Sequence, residues 1–344
     1  MNRAGQVHAA VAGRIALLLM LSSLCAQEAA AQPTEGEGPT RGGSEGGLDN
    51  FVVPGLPKGL LRVEIGSGYA PSASADGSEV AVATPGIRLR VQGPLSERVG
   101  AQAFLGIGTS LYDIQDSGEL FSDCHDEEGT PLECPAPDEF YGASFGAQAA
   151  YLLNPNSYLL FQGERWALVG EGFIRARWER GAFDRSLKVG TIYGLGYELT
   201  KRLRVAVGAQ VDVALDGGDV SVQPTAAFRW DIVPALRLAN RGFGLQLEYR
   251  GFKRFELFVA GYRSSDTYRL HNRNGLPSSS EFGDRRWQVG GGVQFRIARW
   301  LRLTTEAGAI VDRRLEIRAN GEGTLSDQDV DKSPYIDVRL EFRP

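Results

Sequence analysis

Between Arg286 and Arg318 the chain repeats with a period of two. Trp287, Val289, Gly291, Val293, Phe295 and Ile297 are apolar or glycine, and Arg286, Gln288, Gly290, Gly292, Gln294 and Arg296 stand between them. After a short turn at Ala298 to Trp300 the same parity resumes. Leu301, Leu303, Thr305, Ala307, Ala309 and Val311 share one face, and Arg302, Thr304, Glu306, Gly308 and Asp312 the other, with Ile310 the exception. Alternation of this kind places successive side chains on opposite faces of a β-strand. A soluble strand rarely holds it for about ten residues, whereas about ten residues at a steep tilt is what a bilayer-spanning strand needs. The pattern predicts an all-β chain, an antiparallel transmembrane β-barrel.

The ends of the 344-residue chain fit that reading. Arg3 and Arg14, the apolar stretch Ile15 to Leu21 and the small residues Ala29 to Ala31 have the order of a secretory signal peptide cleaved near Ala31. Cys25 would suggest a lipid anchor, but Leu24 stands before it where a small residue is required. No apolar run of 18 or more residues follows, so a spanning helix is not expected. A membrane protein without one must close its sheet, because open sheet edges cannot be satisfied in hydrocarbon. Residues 32–57 are dominated by Gly, Glu and Pro up to Asp49, followed by the Pro-broken segment Phe51 to Pro57, and are expected to form a flexible periplasmic tail. The barrel is then expected over 58–344, in the bacterial cell outer membrane with its lipids as partners.

Two cysteines remain after the signal, Cys124 and Cys134, in a loop rich in Asp, Glu and Pro. An oxidising compartment favours a disulfide there. A metal site using Asp123, His125 and Asp126 is the weaker reading, since one histidine among unspecific acids lacks ligand spacing.

From Lys58 onward strand alternates with turn. Even-stranded barrels place both termini in the periplasm, with short turns there and long loops outside. The Cys124 loop, Leu270 to Gly283 and Ala319 to Pro334 read as long external loops. Asn154 to Asn156, Thr200 to Arg202 and Ala298 to Trp300 read as periplasmic turns. The stretch Tyr158 to Trp178 reads as one interrupted strand or a short one plus a long one. The bookkeeping closes at 14 strands if Ala235 to Arg250 is a small hairpin about Arg241-Gly242; if that hairpin does not span, the count is 12. Tyr151, Tyr197, Trp230, Tyr249, Phe255, Trp300 and Phe342 then fall at periplasmic strand ends, and Phe140, Tyr141, Trp178 and Trp287 at external ends. Two interfacial aromatic girdles are expected of such a barrel.

The last strand alternates Ile336, Val338, Leu340 and Phe342 with Asp337, Arg339 and Glu341. It resembles the C-terminal signature that outer-membrane assembly machinery recognises, although Arg343 and Pro344 follow the aromatic. From about Leu187 onward the chain also resembles a family of bacterial outer-membrane β-barrels of unknown function. The resemblance is carried by Leu245-Gln246-Leu247-Glu248-Tyr249-Arg250, Leu257 to Gly261 and Ala307 to Arg314. It implies the fold and the membrane, and adds no activity.

Catalysis is not expected. A hydrolase or acyltransferase at the barrel rim would need a histidine beside a serine or acid. His125 and His271 are lone loop histidines, and the two Gly-x-Ser-x-Gly matches, Gly42 to Gly46 in the expected tail and Gly142 to Gly146 in an alternating strand, do not stand at the strand-to-helix turn that a nucleophile elbow needs. The glycine-rich run Gly290 to Gly292 lies within a strand, not in a phosphate loop. No cofactor and no nucleic-acid partner are expected, and the pattern does not specify an oligomeric state. What remains is the inward face, where Arg88, Arg90, Arg202, Arg204, Glu248, Glu256, Arg296, Arg302 and Glu306 are the expected lumen-lining residues. Either they line a passive pore for small polar solutes, or they pair internally and plug a structural scaffold or small-ligand carrier. Small inward residues such as Gly106, Gly108, Ser144, Gly146, Gly194 and Gly196 favour the pore.

Overall fold

In the computed structural model the described residues are 60–343, apart from 116–119, parts of 122–137, 154–165, 216–219, 272–275, 278–279 and 320–322. The expected signal peptide, the tail, the Asn154 turn and the first half of the Tyr158 to Trp178 stretch lie outside the described residues. No described helix is long and apolar enough to cross a membrane.

The strands are β1 (Leu60–Ala75), β2 (Ser78–Pro94), β3 (Val99–Gln115), β4 (Glu139–Leu152), β5 (Trp166–Glu179), β6 (Leu187–Thr200), β7 (Leu203–Ala214) and β8 (Val220–Val233). They continue with β9 (Leu236–Asn240), β10 (Phe243–Tyr249), β11 (Phe255–Arg269), β12 (Glu281–Arg296), β13 (Leu301–Ala319), β14 (Gly323–Val330) and β15 (Ser333–Phe342). From β1 to β14 each strand pairs antiparallel with the next. The upper part of β13 pairs with β14 through Arg313 to Ala319, and its lower part with β15 through Leu301 to Ile310. These last two strands are therefore successive segments of one wall position, interrupted at Asp331 and Lys332. β15 then pairs with β1, from Val63↔Phe342 to Tyr69↔Ile336, which closes the sheet. The result is a closed barrel with 14 wall positions, the 15 strands less the one position that β14 and β15 share.

The alternation determines which face meets lipid. Ile107, Phe145, Val207, Val259 and Val289 point outward and are each more than half exposed, as an apolar belt requires. At the periplasmic end Trp166 lies 4.1 Å from Tyr197, Phe252 stacks on Phe255 at 4.1 Å, and Trp300 stacks on Phe342 at 6.2 Å. At the other end Tyr141 stacks on Trp178 at 5.9 Å. These rings form the two girdles. Two tight hairpins turn on positive-φ residues: Asp76-Gly77 joins β1 to β2, and Gly242 (φ 55°) sits in the β9–β10 tip. Because β9 pairs with β8 and β10 with β11, that small hairpin is part of the wall, which excludes the count of 12.

Three expectations are corrected. Ala319 to Pro334 is not a long loop, since β14 occupies most of it and continues the wall. Phe140 belongs to no girdle; it points inward and is fully buried between Tyr268 and Phe282. Asp312 faces outward, because a register shift between Trp287 and Gln288 leaves Val311 as an extra residue on β13. Beyond that bulge the odd positions Arg313, Leu315 and Ile317 turn inward, a parity flip that one inserted residue produces.

Candidate functional site

The lumen is built in three levels. In the periplasmic half a cavity of about 290 Å³ lies between β1–β2 and β10–β11. That is close to the lower size of small-molecule sites, roughly 300 Å³. Arg62, Glu64, Arg88 and Arg90 come from one wall, Gln246, Glu248, Glu256 and Phe258 from the other, with Asn240 to Gly242 of the β9–β10 tip alongside. Cross-strand pairing explains the basic side: Arg62 stands opposite Arg90, and Glu64 opposite Arg88, all at inward positions. Arg62 also pairs with Glu341 at 2.7 Å. Across the lumen Glu248 holds Arg250 at 2.6 Å, and Glu256 lies 3.7 Å from the same guanidinium. The cavity thus has an arginine-rich side and a carboxylate-bearing side.

A second cavity, of about 140 Å³, shares Glu64, Arg88 and Arg339 with the first. One side of it is formed by Gly66, Gly86, Gly106, Gly108 and Gly142 on adjoining strands at inward positions, and Arg177, Asp266, Tyr268 and Asp337 also line it. At Gly66 the Arg339 side chain lies so close that a Cβ would stand 2.6 Å from its Cγ.

Above the first cavity sits a knot centred on Glu306. Its carboxylate accepts hydrogen bonds from Tyr335 Oη at 2.6 Å, Tyr262 Oη at 3.3 Å, Arg241 Nη2 at 2.6 Å and Arg339 Nη2 at 3.3 Å. Arg241 reaches in from the hairpin tip, with its guanidinium 4.1 Å from the Tyr262 ring centroid. A buried carboxylate with two guanidiniums and two phenols is fully satisfied, which is the condition for burying charge without a large penalty.

The external third is filled. Phe140 stacks between Tyr268 at 4.3 Å and Phe282 at 5.1 Å, and Leu120 and Phe121 from the β3–β4 connection close over Phe282, Leu315 and Ile317. Beside this core Asp284 accepts from Arg286 at 2.8 Å, Arg313 at 2.9 Å and the Tyr112 hydroxyl at 2.8 Å. Arg286 reaches on to Asp266 at 2.6 Å, and Arg177 lies 3.6 Å from that same carboxylate. The Cys124–Cys134 disulfide is formed, with Cα atoms 6.0 Å apart, and pins the connection to this core.

Of the nine expected lumen residues, Arg88, Arg90, Glu248 and Glu256 come together around the first cavity. Arg204 stays near the periplasmic rim, 3.7 Å from Glu198. Arg302 and Arg296 face each other at the foot of β12–β13, half-buried and exposed respectively. Arg202 lies in the β6–β7 turn, exposed, and Glu306 is sealed within its knot. Sequence reasoning missed Arg241, because a turn residue carries no parity. His125 donates its backbone N–H to the Leu325 carbonyl, and His271 donates its own to Glu179.

No family model matches the chain, and no curated protein does. Among solved structures it is similar to the TodX monoaromatic hydrocarbon channel in a deltaS2 mutant form, at 9% identity and a TM-score of 0.43, over 89% of this chain and 95% of that one. An outer membrane channel from Pseudomonas putida F1 gives 12% identity and a TM-score of 0.42, over 85% and 97%. The NanC porin gives 10% identity and 0.32, over 81% and 98%. These likenesses are too distant to carry an assignment of activity, and the architecture rests on the strand pairing itself. The chain is a closed β-barrel of the outer-membrane type, with a charged cavity in its periplasmic half.

Proposed function

We propose that the protein is a passive passage for small polar solutes across the outer membrane. The observation that carries this reading is the pair of contiguous cavities, one walled by opposite charges and the other lined on one side by glycines and elsewhere by charged residues. Opposed charge across a lumen orients polar solutes and lowers the cost of leaving water. In this reading residues 1–31 are removed on export, 32–57 form a periplasmic tail, 58–344 form the barrel, and assembly machinery engages the strand ending at Phe342. Arg88, Arg90, Glu248 and Glu256 line the path, and the protein has no catalytic role. Single-channel recording in planar bilayers tests it. Stable openings are expected, with selectivity shifted towards cations by Arg88→Gln and towards anions by Glu248→Gln.

The filled external third and the Glu306 knot favour a second reading, a closed scaffold or small-ligand carrier. A silent barrel, unchanged by deletion of residues 32–57, supports that one. Openings that appear only after the deletion identify the tail as a plug.

A further inference from the structure

The two ends of the barrel carry opposite charge. The external connection from β3 to β4, residues 116–138, holds eight aspartates and glutamates and no lysine or arginine. The described periplasmic turns do the reverse. Arg98 lies in the β2–β3 turn, Lys201 and Arg202 in the β6–β7 turn, Lys253 and Arg254 in the β10–β11 turn, and Arg299 in the β12–β13 turn. All six are exposed, and Glu97 is the one acid among the described residues of these turns. Among the described residues no carboxylate pairs with any of the six. The carboxylates nearest to them point inward and are already engaged there: Glu198 with Arg204 at 3.7 Å, Asp231 with Arg237 at 2.6 Å and Glu248 with Arg250 at 2.6 Å. The rim cations are left with one another, a ring of like charge that an anionic surface would relieve.

Apolar side chains stand directly beside these cations. Phe252 precedes Lys253 and stacks on Phe255, Trp300 follows Arg299 and stacks on Phe342, and Ile297 shares the turn of Arg299. Phe252, Ile297 and Trp300 are 44%, 58% and 52% exposed, so they belong to the membrane interface and not to a core. Girdle rings sit at the level of the lipid headgroups, and the long stems of Lys and Arg carry their charge from there into the polar layer. The ammonium and guanidinium groups therefore reach the depth of the lipid phosphates, where a charge-assisted hydrogen bond is strong. A soluble polyanion in the periplasm would meet the same charge but would leave the apolar neighbours without a partner. A phospholipid satisfies both, with its phosphate on the cations and its acyl chains against the rings.

We propose that the periplasmic rim is a binding surface for anionic phospholipid headgroups, such as phosphatidylglycerol, in the leaflet that faces the periplasm. Arg98, Lys201, Arg202, Lys253, Arg254 and Arg299 hold the phosphates, and Phe252, Ile297 and Trp300 enter the layer just above them. The surface is separate from the lumen and holds whether or not the lumen conducts.

The test uses the full-length barrel, with its native disulfide oxidised, reconstituted in phosphatidylcholine with a trace of spin-labelled phosphatidylglycerol or spin-labelled phosphatidylcholine. The fraction of each label that the protein immobilises gives the selectivity of its lipid shell. Phosphatidylglycerol is expected to be favoured roughly fivefold in low salt, the equivalent of about 1 kcal/mol for a cation beside an anionic headgroup. The preference should fall towards one in about 1 M salt, where the screening length is about 3 Å. Combining Lys201→Gln, Arg202→Gln, Lys253→Gln, Arg254→Gln and Arg299→Gln should abolish it, while heat-modifiable gel mobility shows that the barrel still folds. Arg180→Gln with Arg185→Gln, at the exposed β5–β6 connection of the other end, should leave it unchanged. Equal immobilisation of the two lipids overturns the proposal, as does a preference that survives the fivefold substitution or is lost with Arg180 and Arg185. Soluble polyglutamate supplies the remaining arm: if it binds through the five substituted residues while the lipid shell shows no preference, the partner is a periplasmic polyanion and the lipid surface is refuted.

Discussion

The two sides of this barrel are built on different principles. On the tall side, β11 to β15 with β1 to β4, strands reach 19 residues and their inward faces carry an apolar core and a buried ion cluster. On the low side, β6 to β10, strands run from 5 to 14 residues, and inward positions such as Gln223 and Thr225 stay half-buried. A strand that outruns the apolar band leaves the bilayer and must find a partner for its inward face. The tall side does so as a soluble protein does, by packing Phe140, Phe282 and Leu315 together. The low side never outruns the band by much; it buries a small apolar cluster of Ile192, Ala206 and Ala227 and leaves Gln223 and Thr225 half-buried.

Substitutions can break that contrast. The largest effect is expected from Asp284→Ala, which leaves the Arg286 and Arg313 guanidiniums buried without their shared carboxylate. Removing one member of a buried pair costs about 3–5 kcal/mol, so urea unfolding in detergent should show a midpoint well below that of the parent. If the loss is under about 1 kcal/mol, the tall side is not held by this cluster. Next comes Val259→Arg on the lipid face, more than half exposed, at roughly 2–4 kcal/mol near the midplane. Unfolding from liposomes measures it, and a neutral result would place Val259 in water. Replacing both Cys124 and Cys134 with serine should cost about 2–3 kcal/mol for so short a loop. Its mark should be protease sensitivity of the β3–β4 connection with the barrel intact. Last, Gln223→Ala on the low side should stay within about 0.5 kcal/mol. A larger loss there would mean that this side is packed after all, and the contrast would fail.

Much of the fold can be read from residues, because lipid leaves little freedom: one face must be apolar and the sheet must close. The parity of Trp287 to Ile297, the Arg241-Gly242 hairpin and the periplasmic aromatics all follow from that constraint. Other features are hidden for specific reasons. The extra residue at Val311 is invisible in a strand of uniform character, so Asp312 was expected on the wrong face. β14 carries Asp327, Gln328 and Asp329, and its position above the bilayer lets both its faces be polar, which mimics a loop. Phe140 and Phe282 sit on the polar parity, and that mismatch was the available sign of an internal core. The candidate site is half legible: Arg88, Arg90, Glu248 and Glu256 follow from parity alone. The Glu306 knot does not, since it depends on a turn residue and on tyrosines contributed by β11 and β15.

Closure between β1 and β15 also has a consequence in time. The Val63 to Tyr69 edge has its partner in Ile336 to Phe342, close to the far end of the chain. Almost the whole polypeptide must be present before the first strand is paired on both sides. Contacts so distant in sequence make folding slow, and an unpaired edge left in hydrocarbon in the meantime is costly. A chain shortened by its last ten residues would keep most of its hairpins but have two loose edges in place of a seam. The seam is thus the final act of assembly, and the part of the molecule whose loss would leave a curled sheet in place of a barrel.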